Sequence, residues 1–182
     1  MSMTKRNTVL VHKVVGQEFE EAVAASDMRP GNLVQITGKV VGGFTATLNA
    51  VRGFPCHVVT EEVNTFQGKT VRDQVDSGDT VVCAHLQPGV KFTGLLKDTV
   101  ADVEVGDILI ADETGHLDHP AEAVAAVQSE SSPYAVSKFP VAAELMTARQ
   151  LYRAEEACVG NNTYAGTGAG SGDDRRIICR VL

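Results

Sequence analysis

The stretch VEVGDILIADETGHLDHP, Val103–Pro120, places Asp107, Asp112, Glu113, His116, Asp118 and His119 within thirteen residues. Carboxylates and imidazoles brought together can hold a divalent cation or move protons, so this is where the chain is densest in groups able to do chemistry. The spacing matches neither established pattern. Hard-metal loops set carboxylates at alternate positions around a fixed turn glycine and close on a glutamate, whereas catalytic zinc helices set two histidines four apart. Here His116 and His119 are three apart, and Glu113-Thr114-Gly115 has the composition of a hairpin turn. Two readings follow. The main expectation is a strand, a polar turn and a short return strand with its charges solvated; the alternative is a weak surface metal site, or an enzyme or metal-binding β-barrel using Asp112, Glu113, His116, Asp118 and His119.

The remaining motifs fail on context. Gly68-Lys69-Thr70 ends like a phosphate-binding loop, but that loop needs a glycine five positions earlier, where Val63 stands. The Gly166, Gly168, Gly170, Gly172 series carries Ser171 in the third glycine slot of a dinucleotide fingerprint and leads into a strand, so it reads as a linker. Ser171 is preceded two positions earlier by Ala169, which removes a nucleophile elbow. Asn161 opens an Asn-Asn-Thr glycosylation pattern that has no meaning without secretion. Cys56 and His57 are neighbours, and neighbours on a strand point to opposite faces, so they do not form a nucleophile and base. His12, His57 and His85 stand singly in strand-like segments, His85 reading as a core or interface residue. No catalytic residue, metal ligand or cofactor is expected.

The elements that carry these residues are strands. PGNLVQI (Pro30–Ile36), SGDTVVCAHL (Ser77–Leu86) and VGDILIA (Val105–Ala111) each open with Gly and then Asn or Asp, which favour turns, and run into strand formers. Further strands are expected at Thr8–Val15, Gly38–Leu48, Phe54–Val63, Gly89–Leu96 and Arg175–Leu182. Short strands at this spacing predict a mainly β, single-domain β-barrel or β-sandwich with one or two short helices. Helical spacing marks two segments. Gly16–Ser26 has Phe19, Val23 and Ala22 on one face with early glutamates, and Phe139–Gly160 begins with Pro140, places Val141, Leu145, Ala148 and Tyr152 in step, and stops at Gly160. The organisation expected is an N-terminal arm or first strand over 1–15 and a β-rich domain over 16–182, with an exposed loop near Ser129–Pro140 and a Gly-rich loop at 160–174.

With 182 residues the chain is long enough for a sizeable core. Its net charge of −7, 16 basic residues against 23 acidic, includes no basic run longer than two, which argues against nucleic acid as a partner. No apolar stretch is long enough for a signal-peptide core or a membrane span, so synthesis in the cytoplasm and no membrane partner are expected. Cys56, Cys83, Cys158 and Cys179 are widely spaced, without a C-x-x-C pair, and are expected to be reduced and structural.

Val58–Pro120 resembles small tailed-bacteriophage head proteins of the decoration, or cement, type. The likeness runs through NTFQGKTVRDQVDSGDTV, PGVKFTGLL and VEVGDILIADETGHL, each leading into or through a strand. MRPGNLVQIT and DDRRIICRVL look like the opening and closing strands of that family, while Ser129–Arg153 departs from its compact pattern. The resemblance implies a non-enzymatic subunit on the capsid exterior of a virion, bound to the major capsid protein and to itself as a symmetric homo-oligomer, a trimer by family analogy. Another virion part, such as a tail or fibre-attachment module, shares these traits.

A strand-forming arm can add to an exposed sheet edge on a partner, and MSMTKRNTVLVHKVV carries apolar strand formers ahead of any turn signal. Thr8, Val9, Leu10 and Val11 are therefore the candidate capsid contact. The competing reading makes Thr8–Val15 the first strand of the chain's own barrel.

Overall fold

The computed structural model describes residues 9–12, 15–40, 43–49, 51–54, 56–62, 67–68, 70–97, 100, 102–120, 148–158 and 175–182. Eleven strands are described: β1 (Leu10–His12), β2 (Phe19–Ala24), β3 (Leu33–Val40), β4 (Gly43–Leu48), β5 (His57–Val59), β6 (Thr80–His85), β7 (Lys91–Leu95), β8 (Ile108–Ala111), β9 (Leu117–Asp118), β10 (Tyr152–Ala154) and β11 (Arg176–Val181).

Four of these strands are launched by the same device. Asn32 N–H donates to the Arg29 carbonyl at 3.0 Å before β3, Asp79 to Asp76 at 3.1 Å before β6, Val90 to Gln87 at 3.1 Å before β7, and Asp107 to Glu104 at 3.2 Å before β8. The third residue of each turn is glycine, Gly31, Gly78, Gly89 and Gly106, with φ of +98°, +92°, +91° and +99°. A type II turn requires positive φ at that position, and glycine adopts it without a Cβ clash. The Gly-Asn and Gly-Asp signals in the sequence are thus turns that aim a strand.

The strands form two sheets. β2, β4, β3, β5 and β6 close into a barrel in that order, with β2 and β4 parallel and the other pairs antiparallel. The second sheet runs β1-β7-β11-β10-β8-β9. Its far end curls back, since Leu117 of β9 bridges Leu96 and accepts a hydrogen bond from Lys97 N–H at 3.0 Å, just beyond β7.

Alternation along three barrel strands builds the junction. Val34, Val59 and Cys83 point into the barrel with Ala22, Ala24, Ala46 and Val81, while their neighbours Leu33, Val58 and Ala84 point outward into the core of the second sheet. One wall therefore serves two cores, as a period of two permits. The second core is the larger and is centred on Phe92 and Tyr152, both fully buried, whose rings meet edge to face at 5.5 Å. Burying one such side chain is worth roughly 1.5–3 kcal/mol, so each is a substantial contribution to this core.

On the solvent side, pairing sets Arg153, Arg180 and Lys91 in a row across β10, β11 and β7. Like charges directly opposite repel. Glu155 answers all three at 2.9–3.1 Å, and Lys91 first, then Arg153 and Arg180, push its carboxyl down to about 2.

Both helix expectations fail where residues are described. In Gly16–Ser26 the Phe19 and Val23 taken as a helical face are 38% exposed each, and the buried side chains are Ala22 and Ala24, two apart. Alanine fits a narrow barrel interior, and β2 pairs on both sides, which outweighs its helix preference. In Phe139–Gly160, positions 139–147 lie outside the described residues, but Tyr152–Ala154 is β10, buried-exposed-buried and flanked by β8 and β11. The strand expected over Gly38–Leu48 is instead the end of β3 and all of β4, paired antiparallel out to Val40 and Gly43. The Gly-rich loop at 160–174 and the loop near Ser129–Pro140 lie outside the described residues.

Candidate functional site

The polar stretch that drew attention in the sequence is a hairpin turn. Ile108–Ala111 is β8, Leu117–Asp118 is β9, and Asp112 N–H donates to the His116 carbonyl at 2.8 Å to close the connection. The expected strand, turn and return strand are present. The expected solvation of the charges holds at Glu113, which is exposed, and fails at Asp112, which is only 1% exposed.

Asp112 holds the turn together. Its Oδ1 accepts the Thr114 N–H at 2.9 Å and the His116 N–H at 2.8 Å, and its Oδ2 accepts the Thr114 hydroxyl at 2.6 Å. Thr114 Oγ1 also lies 2.9 Å from His116 Nδ1. Burial by itself raises the Asp112 carboxyl, but the Thr114 hydroxyl, the backbone N–H groups of His116 and Thr114, and the charge of His116 together hold it below its ordinary value. Lys97 Nζ stands 3.5 Å from Asp112 and 3.4 Å from Asp118, and Arg52 contacts Asp118 at 2.8 Å.

This turn is also where the sheet docks on the barrel. Leu33 N–H donates to the Gly115 carbonyl at 2.8 Å, joined there by Asn32 Nδ2 at 3.2 Å, and Asn49 Nδ2 donates to the Asp112 carbonyl at 2.7 Å. Two buried asparagines from the barrel thus donate to carbonyls of the turn, Asn49 supplying the Asp112 carbonyl and Asn32 adding a second donor at Gly115. The carboxylate and imidazole of Asp112 and His116 are engaged in folding, and Asp118 is engaged with Arg52 and Lys97. Among the described residues, no group of three His, Cys, Asp or Glu side chains is arranged to hold a metal.

His116 does reach a pocket. It lines a space of about 190 Å³ with Asp27, Met28, Arg29, Asn32, Gln74 and others. Small-molecule sites usually occupy about 300–1,000 Å³, so this one is smaller than most of them.

The four thiols are buried, and all are free. Burial pushes Cys56 up to about 12 against a lowering hydrogen bond from Tyr152, and pushes Cys83 up to about 12 with Glu20 adding to it. Cys179 is raised further, by burial first and then by Glu156 and Glu155. Thiols held protonated in this way are poor nucleophiles.

Of the N-terminal contact candidates, Thr8 lies outside the described residues. Val9 and Leu10 are buried in the larger core, and β1 pairs with β7 through Leu10↔Phe92 and His12↔Lys91. Val9 is fixed further, its N–H donating to Glu61 Oε2 at 3.0 Å and its carbonyl accepting from Thr93 at 2.7 Å. Val11, on the opposite face, is 42% exposed. This segment is a strand of the chain's own second sheet, and the side chain it presents outward is Val11.

One pairing escaped sequence reasoning. His57 and His85 face each other directly across β5 and β6, with ring centres 5.0 Å apart. Their positions alternate with Val59 and with Val81 and Cys83, so both lie on the inward face at one mouth of the barrel. Glu20 faces Cys83 from β2 on the same side. Burial, and then the neighbouring His85, lower the His57 pKa, while Glu20 and Glu18 oppose the shift. Twenty-seven residues of chain lie between the two histidines, so only strand register brings them together.

No known family model matches the sequence, and no curated protein matches it at a significant level.

Proposed function

We propose that this chain is a non-enzymatic virion structural protein that binds the outer surface of an assembled phage capsid and stabilises it. The observation that carries the reading is the repeated turn-to-strand unit. The segments that resemble decoration proteins, Ser77–Leu86, Gly89–Leu96 and Val105–Ala111, each enter a strand through a glycine turn of the same φ and hydrogen-bond pattern. The polar hairpin inside that region serves to dock one sheet on the other, a role in architecture rather than in turnover.

The partners in this reading are the major capsid protein and further copies of the chain, as a homo-oligomer, with trimers expected by analogy, on the virion exterior. A subunit that bridges neighbouring capsid proteins adds binding free energy to the closed shell and none to its dissociated parts, and the gain multiplies over many copies. In this reading the N-terminal segment meets the shell through β1, whose Val11 is exposed.

The test is retention on heads. Purified protein is added to mature heads lacking it, the heads are sedimented, and bound copies are counted. Saturable binding at a number set by capsid symmetry, with greater resistance to heat, is expected. Heads that retain none would overturn the reading in favour of a tail or fibre-attachment part.

A further inference from the structure

The barrel interior is apolar, built from Ala22, Ala24, Val34, Ala46, Val59, Val81 and Cys83, yet one mouth carries His57, His85 and Glu20 on the same inward face, with Glu18 just ahead of β2, its carbonyl accepting the His85 N–H at 3.0 Å. The hairpin chemistry described above uses none of them. Two imidazoles that share one tetrahedral cation, each through a nitrogen about 2.0–2.1 Å from it, have ring centres roughly 5 Å apart. The His57 and His85 rings stand 5.0 Å apart, tilted by 37°. His85 Nδ1 is buried with no hydrogen-bond partner among the described residues, and so is Oε1 of Gln17, whose amide nitrogen is bonded to the His85 carbonyl. A buried polar atom without a partner is costly, and coordination of a cation removes that cost.

We propose that His57 and His85 form a two-imidazole site for a divalent transition-metal cation of the zinc class at the mouth of the barrel, with Glu18 and Glu20 supplying the negative field that draws it there. Imidazole binds metal in its neutral form, through a ring nitrogen lone pair. The remaining coordination positions belong to water, since no third protein ligand is already arranged there among the described residues. The cation ties β5 to β6 at the end of the barrel, where the ladder stops at His57 and His85.

The test titrates zinc into the full chain by calorimetry and follows the thermal midpoint. One equivalent bound, with a raised midpoint, is expected, and both effects should disappear in His57→Gln and in His85→Gln while His116→Gln and His119→Gln keep them. Affinity should weaken at pH 5.5, where protons compete for the rings. A wild-type chain that takes up no zinc saturably, or binding that survives His57→Gln and His85→Gln, would overturn the proposal. Because either variant can fold poorly, the same question is put to the wild type. Zinc should protect His57 and His85 from diethyl pyrocarbonate, read by mass spectrometry, and equal modification with and without zinc would refute the site.

Discussion

Leu33 of β3 gives its N–H to the carbonyl of Gly115 in the β8–β9 turn at 2.8 Å, so a backbone hydrogen bond ties the barrel directly to the second sheet. The approach is close. A Cβ on Gly115 would fall 2.7 Å from the Leu33 oxygen and 2.9 Å from a Leu48 methyl, and the residue sits at φ +78°. Gly115→Ala combines backbone strain with a clash against main chain that cannot move aside. We expect it to cost about 2–4 kcal/mol, measured by urea unfolding. A loss below about 0.5 kcal/mol would show that the junction is loose.

Asp112 gives a prediction with a pH sign. Asp112→Ala leaves the Thr114 and His116 N–H groups without their acceptor and should cost about 2–4 kcal/mol at pH 7. The carboxyl is held below its ordinary value of 3.8 in the folded chain, so the unfolded chain takes up a proton first as the solution is acidified. The stabilisation is therefore complete above about pH 4 and is lost as pH falls through the folded value. Wild type and variant should converge in stability toward the acid end of a pH series. Parallel curves would place the contribution elsewhere.

The His57 titration works at higher pH. Its folded pKa lies below the ordinary 6.5, because burial and His85 disfavour the charged ring more than Glu20 and Glu18 favour it. The unfolded chain again protonates first, so stability should decline as pH falls from 7 toward 5, in buffer with chelator. His57→Gln, which does not titrate, should flatten that decline, measured by denaturation midpoints across the series. An unchanged slope would assign the pH dependence to other groups.

Native thiol reactivity should be very low. With Cys56 and Cys83 pushed up to about 12 and all four thiols buried, a disulfide reagent at pH 8 should label almost nothing until denaturant is added, and then four equivalents. Fast labelling of one thiol in the native chain would identify a segment that opens locally.

Most of the strands were legible because their signals are local. A glycine that must adopt positive φ, followed by Asn or Asp and a run of β-branched residues, fixes a turn and the strand after it within about ten residues, as at Ser77–Leu86 and Val105–Ala111. The polar composition of Asp112–His119 likewise identified a turn. What local signals could not supply was direction of burial. Phe19 and Val23 mimic a helical face, yet the barrel buries the alanines between and after them, because the diameter of a five-stranded barrel favours small side chains. Tyr152 fits a helical stripe just as well, and its place in β10 depends on β8 and β11, which lie tens of residues away on either side.

The sequence by itself determined the β class, the turn glycines, the burial of the cysteines and the hairpin at Asp112, since each follows from conformational preference or apolar pattern within a short window. Only the tertiary structure decided that Asp112 is buried rather than solvated, that Val9 and Leu10 belong to the chain's own core, and that His57 meets His85. Each of these depends on which strands become neighbours and in what register, and that is settled by long-range pairing and the packing of two cores against one shared wall.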